Sequence, residues 1–158
     1  MIDIGIKTEE GKFKFRVCGI VKSGDKMLIQ KIQGNNFYCL AGGHVELGED
    51  TLTAIKREML EEVGIHTKNE KLISVMENFF ENGERVFHEL GFYYEVEAEE
   101  KLDTNDYSVE ENDKGEMKHL DYKWVTKEQL KDIDFRPVVI KDLMVNGSKQ
   151  LEHIVFKG

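Results

Sequence analysis

An α/β fold is what this sequence predicts, on three observations. Apolar runs of strand length lie both before and after a central helical segment. That segment begins at a good N-cap residue and stops at a glycine. Two further short helical patterns follow the last strand-like run. A length of 158 residues with 40% hydrophobic content is ample for one core, so residues 1–158 are expected to form a single domain.

Taken in order, Phe13 to Val21 and Met27 to Gln33 read as two strands joined by a turn at Ser23-Gly24-Asp25. Phe37 to Leu40 reads as a short strand leading into Gly42-Gly43, where paired glycines permit a sharp turn and close approach of the backbone to a ligand. A helix is expected from Asp50, whose side chain can accept a bond from the first turn, to Gly64, which can adopt the left-handed conformation past a helix end. Strands follow at Glu70 to Asn78 and at the aromatic-rich Val86 to Val96. Another, Leu120 to Val125, runs into a Thr126-Lys127-Glu128-Gln129 capping box and a short helix. Pro137 suits the first turn of a final helix reaching about Val145. Between Glu95 and Glu116 the chain carries ten acids and two lysines, which reads as an exposed strand end followed by a long loop. There is no internal repeat.

The formal charge is −9, from 31 acids against 22 bases. This balance argues against long nucleic acid as a partner, which needs a basic footprint, but not against a small nucleotide that arrives with magnesium. Cys18 and Cys39 lie in apolar surroundings without metal-type spacing and are expected as two reduced, mostly buried thiols. Met1-Ile2-Asp3-Ile4 lacks the basic and long apolar regions of a signal peptide, and no stretch approaches the roughly 18 apolar residues of a membrane span. A cytoplasmic location away from membranes is the default expectation, and a homodimer is compatible with it.

The chemistry concentrates between Gly43 and Ile65. At about 100° per residue, Glu58, Glu61 and Glu62 fall within roughly one 100° arc of a helix surface. Leu52, Ile55, Met59 and Val63 form the neighbouring apolar arc, and Thr53, Lys56 and Arg57 occupy most of the remainder. The three acids therefore flank a buried face, as residues lining a cleft do. Like charges at this spacing repel by roughly 0.2 to 0.5 kcal/mol per pair, and acids in a last turn oppose the helix dipole. Arg57 can offset part of this by reaching Glu61, leaving a cost on the order of 1 kcal/mol that a divalent cation would reverse. A ligand set of carboxylates without cysteine or histidine suits Mg²⁺ or Mn²⁺ rather than zinc, and magnesium usually shares its sphere with substrate phosphates. By themselves the three acids also fit an ordinary solvated helix face; the residues around them decide.

Those residues resemble the Nudix box, the signature of the Nudix hydrolase (MutT-like) superfamily: G, five residues, E, seven residues, then R-E-U-x-E-E-x-G-U, with U apolar. Gly43, Glu49, Arg57, Glu58, Met59, Glu61, Glu62, Gly64 and Ile65 fill every fixed position. With the strand pattern on both sides, the resemblance spans roughly residues 13 to 145. In many relatives a proline precedes the glycines and a tryptophan lies a few residues earlier; here Ala41 and Tyr38 stand nearby.

The resemblance implies the Nudix fold, a mixed β-sheet sandwiched between α-helices, with the box at the sheet edge and its acids facing a cleft. It implies metal held by Glu58, Glu61, Glu62 and the Gly43 carbonyl, with Glu46 a further ligand or contact. Arg57 is expected to orient the glutamates by pairing with Glu49 or a box carboxylate. Relatives often bring another glutamate from the loop before the strand carrying the late tryptophan, here Trp124; Glu116 is the first candidate, then Glu111 and Glu110. The general base is one of Glu58, Glu61, Glu62 or Glu116. On the substrate side stand Gly42, Gly43, Glu46 and Arg16, the last at a position used for phosphate or base contacts and equally suited to a plain surface charge. Phe79, Phe80, Phe87 and Tyr94 are candidates for base stacking, although strand aromatics are more often core. His44, His88 and His119 are expected to be structural or solvent-facing.

The activity so implied is metal-dependent hydrolysis of a phosphoanhydride in a nucleoside diphosphate linked to another moiety. A nucleoside triphosphate, an oxidised nucleotide and ADP-ribose are all of this class. The alternative is a Nudix domain that binds nucleotide and regulates a partner without turnover.

Overall fold

The computed structural model describes residues 2–113 and 115–158. Along it run β1 (Gly5–Lys7), β2 (Gly11–Ser23), β3 (Lys26–Ile32), β4 (Ala41–His44), α1 (Thr51–Val63), β5 (Thr67–Asn82), β6 (Arg85–Ala98), β7 (Tyr107–Asp113), β8 (Glu116–Thr126), α2 (Lys127–Lys131), α3 (Val138–Asn146) and β9 (Glu152–Lys157).

β2 organises the sheet because its two edges serve different partners. One edge pairs in parallel with β6 from Gly11↔Val86 to Lys22↔Glu97. The other meets β1, then β4, then β3 in succession, each antiparallel. The strand order β7-β8-β3-β2-β6-β5-β9 has a second parallel contact between β5 and β9, so the sheet is mixed.

Strand alternation sends successive residues of β2 to opposite faces. Val17 and Val21 join Ala54, Ile55 and Met59 of α1 in one core, while Cys18 and Ile20 join Leu130 of α2 and Ile140 and Met144 of α3 in another. The sheet is thus sandwiched between helices. Gly19 lets α1 approach closely, since a Cβ there would lie 2.7 Å from Met59 Sδ.

The caps of α1 come from the residues read for them. Asp50 accepts a hydrogen bond from the Thr53 N–H at 2.7 Å, and Gly64, at φ 76°, donates its N–H to the Leu60 carbonyl. Thr126 and Gln129 cap α2 reciprocally. Cys18 and Cys39 are free thiols, the first buried, and burial pushes both above their ordinary pKa. Among the described residues no helix is long and apolar enough to cross a membrane.

Four expectations are corrected. Phe37 to Leu40 makes only isolated bridges, Tyr38 with Phe135 and Cys39 with Gln30. The regular strand is β4, so Gly42-Gly43 is extended rather than a sharp turn. The acidic stretch expected as a long loop contains β7, an edge strand whose Tyr107 stacks on Tyr122 at 4.7 Å. Leu52 is 41% exposed, because the first turn of α1 overhangs the core. β1 and β9 were not anticipated; each is short and lies at the margin of the sheet.

Candidate active site

The last two turns of α1 lie against β4, and one glycine sets how close they come. A Cβ on Gly43 would fall 2.2 Å from Glu58 Cδ and 2.3 Å from both carboxylate oxygens. The space that Gly43 leaves empty is the seat of the Glu58 carboxylate, which is only 6% exposed.

Arg57 ties this seat to the preceding loop. Its Nη2 and Nε donate to the two oxygens of Glu49 at 2.6 and 3.1 Å, a bidentate pair. Nη1 donates to Glu58 at 2.8 Å and to Glu61 at 3.2 Å, and Nη2 also reaches the His44 carbonyl at 3.0 Å. Glu46 lies 3.8 Å from Nη1, and its backbone N–H donates to Glu49. One guanidinium therefore spans the end of β4, the loop and two helical acids.

Burial separates acids that share this cation. The Arg57 guanidinium beside Glu49 holds that carboxyl below its ordinary range. Burial pushes Glu58 above it, outweighing the same arginine. Glu62 is pushed up to about 8 by burial and then by the charge and hydrogen bond of Glu111. Glu61 is largely exposed on its side-chain surface.

Of the three acids considered beyond the box, the structure brings Glu111 to it. Alternation along β7 points Tyr107 and Val109 toward the α1 side, and Glu111 follows in the same phase. The Tyr122 hydroxyl donates to the Glu62 carbonyl at 3.3 Å, docking the end of α1 on this hairpin. Glu110, in the opposite phase, takes the His119 Nδ1 at 2.5 Å. Glu116 is exposed and opens β8 opposite Asp113, two residues before Lys118, the partner of Glu111. That offset is about 7 Å along the strand. The loop expectation had hidden the alternation that selects Glu111.

The other face of β2 carries a cavity that the sequence did not reveal, with Arg16, already a candidate for substrate contact, on its wall. Lys14, Arg16 and Cys18 line a cavity of about 840 Å³ between the sheet and the link from α2 to α3. Asn78 and Glu89 line it too, and its size suits a small-molecule ligand. Arg16 Nε and Asn78 Oδ1 are buried without hydrogen-bond partners. Phe80 lines the cavity and stacks on Phe87, whereas Phe79 stacks on His88 and Tyr94 bonds Thr51 beside α1. The signal in the sequence was the alternation Lys12, Lys14, Arg16.

The two adjacent glycines of β4 serve the two sides. Gly42 abuts Cys18 of the cavity wall, where a Cβ would lie 3.1 Å from Sγ, and Gly43 abuts Glu58. A cavity and an acid cluster are thus separated by little more than one strand pair.

The family model of the NUDIX domain matches residues 12–143. The chain belongs to the Nudix hydrolase superfamily. Its Nudix box is then β4, α1 and the Gly64 cap, and the expectation of a Nudix-type hydrolase stands. The fold is similar to that of the MutT protein from Bacillus halodurans, at TM-score 0.64 and 20% identity over 91% of this chain and 89% of that one. It is also similar to an ADP-ribose pyrophosphatase from Streptococcus suis, at TM-score 0.54 and 12% identity over 90% and 98%. A structure described as a UDP-X diphosphatase gives TM-score 0.55 and 17% identity over 93% and 69%.

Nudix hydrolases generally use divalent metal ions, and the donors here fit a hard cation. They are carboxylate oxygens, one of them, Glu46 Oε2, buried without a partner. Among the described residues no three side chains already converge on one point. Arg57 holds Glu58 and Glu61, and Glu62 lies near Glu111, whose charge helps to raise its pKa. Two neighbouring carboxylates repel each other, and a divalent ion between them removes that repulsion.

Proposed function

We propose that this Nudix protein hydrolyses a phosphoanhydride bond in a nucleoside diphosphate linked to another moiety, by attack of water on phosphorus. The observation that carries the reading is the pairing of Glu62 with Glu111 beside the Gly43-seated Glu58, one strand away from a nucleotide-sized cavity. Glu58, Glu61, Glu62 and the Gly43 carbonyl would hold Mg²⁺ or Mn²⁺, with Glu46 at their margin. Bound there, the ion supplies charge neutralisation at phosphate and a lowered pKa for bound water. Arg57 keeps Glu58 and Glu61 in place against their mutual repulsion and leaves catalysis to them. Glu111, rather than Glu116, is the outer carboxylate within reach of the box, and so the candidate to accept a proton from water. The cavity takes the nucleoside, with Arg16 facing the phosphates that lead from it.

Linked nucleoside diphosphates are named in the descriptions of the ADP-ribose pyrophosphatase and the UDP-X diphosphatase, which supports this substrate class. The acidic balance of the chain supports a small nucleotide rather than long nucleic acid. The test is a substrate screen in Mg²⁺ and Mn²⁺ that follows nucleoside monophosphate, phosphate and pyrophosphate, with Glu58→Gln and Glu62→Gln as controls. Turnover that both changes abolish supports the reading. Nucleotide binding without turnover in either metal replaces it with a regulatory, non-catalytic domain.

A further inference from the structure

One row of side chains crosses the cavity floor. In register, Lys14 of β2 stands beside Glu89 of β6, and Glu89 stands beside Asn78 of β5. All three line the cavity, which makes the row a donor, an acceptor and an acceptor at neighbouring-strand spacing of about 4.8 Å. Lys14 Nζ is 3.7 Å from Glu89 Oε1, a loose contact that leaves the carboxylate with further acceptor capacity. Asn78 Oδ1 is buried with no partner, and its residue is 7% exposed. In the adjoining row Arg16 stands beside Gly91, over which the Tyr93 ring lies, and Arg16 Nε is an orphaned donor. A buried acceptor and a buried donor left open in one cavity lose free energy until a ligand meets them.

We propose that the Lys14, Glu89 and Asn78 row reads the base edge of a guanine nucleotide. This rests on the nucleotide reading above and adds the identity of the base. Guanine presents O6 as acceptor, then N1–H and the N2 amino group as donors, the complement of the row taken from β2 to β5. A carboxylate accepting from N1–H and N2–H is the charge-assisted part of that match. Adenine presents an amino donor toward Lys14 and the N1 lone pair toward Glu89, so both contacts become repulsive. Phe80 and Phe156 also line the cavity and offer apolar surface to a ring.

Non-hydrolysable α,β-methylene-GDP and α,β-methylene-ADP, titrated calorimetrically into the full chain with Mg²⁺, test the proposal. The guanine analogue should bind at least tenfold more tightly, the scale of one hydrogen bond to a charged group. Glu89→Gln should remove most of that preference, weakening the guanine analogue while the adenine analogue, freed of the repulsion at N1, binds no more weakly than before, and Asn78→Leu should weaken the guanine analogue alone. Melting curves for both variants confirm that they fold. Equal binding of the two analogues, or a preference that survives Glu89→Gln, overturns the base assignment and leaves the nucleotide reading intact. Binding of neither analogue overturns both.

Discussion

Replacing Gly43 by alanine inserts one methyl group into the place the Glu58 carboxylate occupies. The new Cβ would sit 2.2 Å from Cδ, whereas carbon atoms in contact stand roughly 3.5 to 4.0 Å apart. The carboxylate must therefore retreat by on the order of 1.5 Å. It has little room to do so, being 6% exposed and bonded to Arg57 at 2.8 Å. The backbone itself accepts alanine, because Gly43 is extended in β4 and is absent from the positive-φ glycines. An overpacked core site of this kind costs about 1 to 3 kcal/mol, or a melting shift of about 2 to 4 °C per kcal/mol at this chain length. If Glu58 holds the metal as proposed, displacing its carboxylate by more than 1 Å should lower turnover by about a hundredfold. Gly42→Ala is the control: its Cβ would lie 2.1 Å from the Val17 backbone oxygen, which splits the β2–β4 ladder and should prevent stable folding. Turnover and melting curves of the two purified variants in Mg²⁺ make the assay. Wild-type turnover in a folded Gly43→Ala variant would show that the seat of Glu58 is not part of the chemistry.

Arg57→Lys keeps the charge but loses the fork that bonds Glu49, Glu58, Glu61 and the His44 carbonyl together; a fall in kcat of roughly a hundredfold is expected, read from steady-state kinetics alongside a melting curve. In the metal-free protein the folded pKa of Glu62, pushed up from 4.5 to about 8, lies above its unfolded value, so the folded state holds a proton the unfolded chain has released. Its stabilisation is full below about pH 4.5 and is lost as pH rises toward 8, a change on the order of 1 to 2 kcal/mol once solvent screening is allowed for. Denaturant titrations across that window should show the decline, and Glu111→Gln should flatten it; an unchanged slope in the variant would place the effect elsewhere. Gly64→Ala forces alanine to φ 76° and should cost about 1 to 2 kcal/mol while leaving the activity of folded protein unaltered, as thermal melts and specific activity will report.

Features governed by neighbours a few residues apart were legible before any coordinates. Asp50 with Thr53, Gly64 with Leu60 and Thr126 with Gln129 are local caps, and Glu58, Glu61 and Glu62 share a face because 3.6 residues make a turn. The strands of the central sheet were legible for the same reason, although β2, β5 and β6 each extend beyond the apolar runs that announced them. What the alternation could not reveal was partnership. Glu111 and Glu116 look alike in an acidic stretch, and only the pairing of β7 with β8 decides which one faces Glu62. Gly42 and Gly43 read as a turn until their ladder with β2 shows that each makes room for a different neighbour. Lys14, Glu89 and Asn78, far apart in the chain, become one row only through two strand registers. By itself, then, the sequence determined the helix, its caps, its acid stripe and the family they belong to. The tertiary structure decided which acid stands beside Glu62, the glycine seats and the cavity, because strand register is set by burial across the whole sheet and a shift of one residue would turn every side chain to the other face.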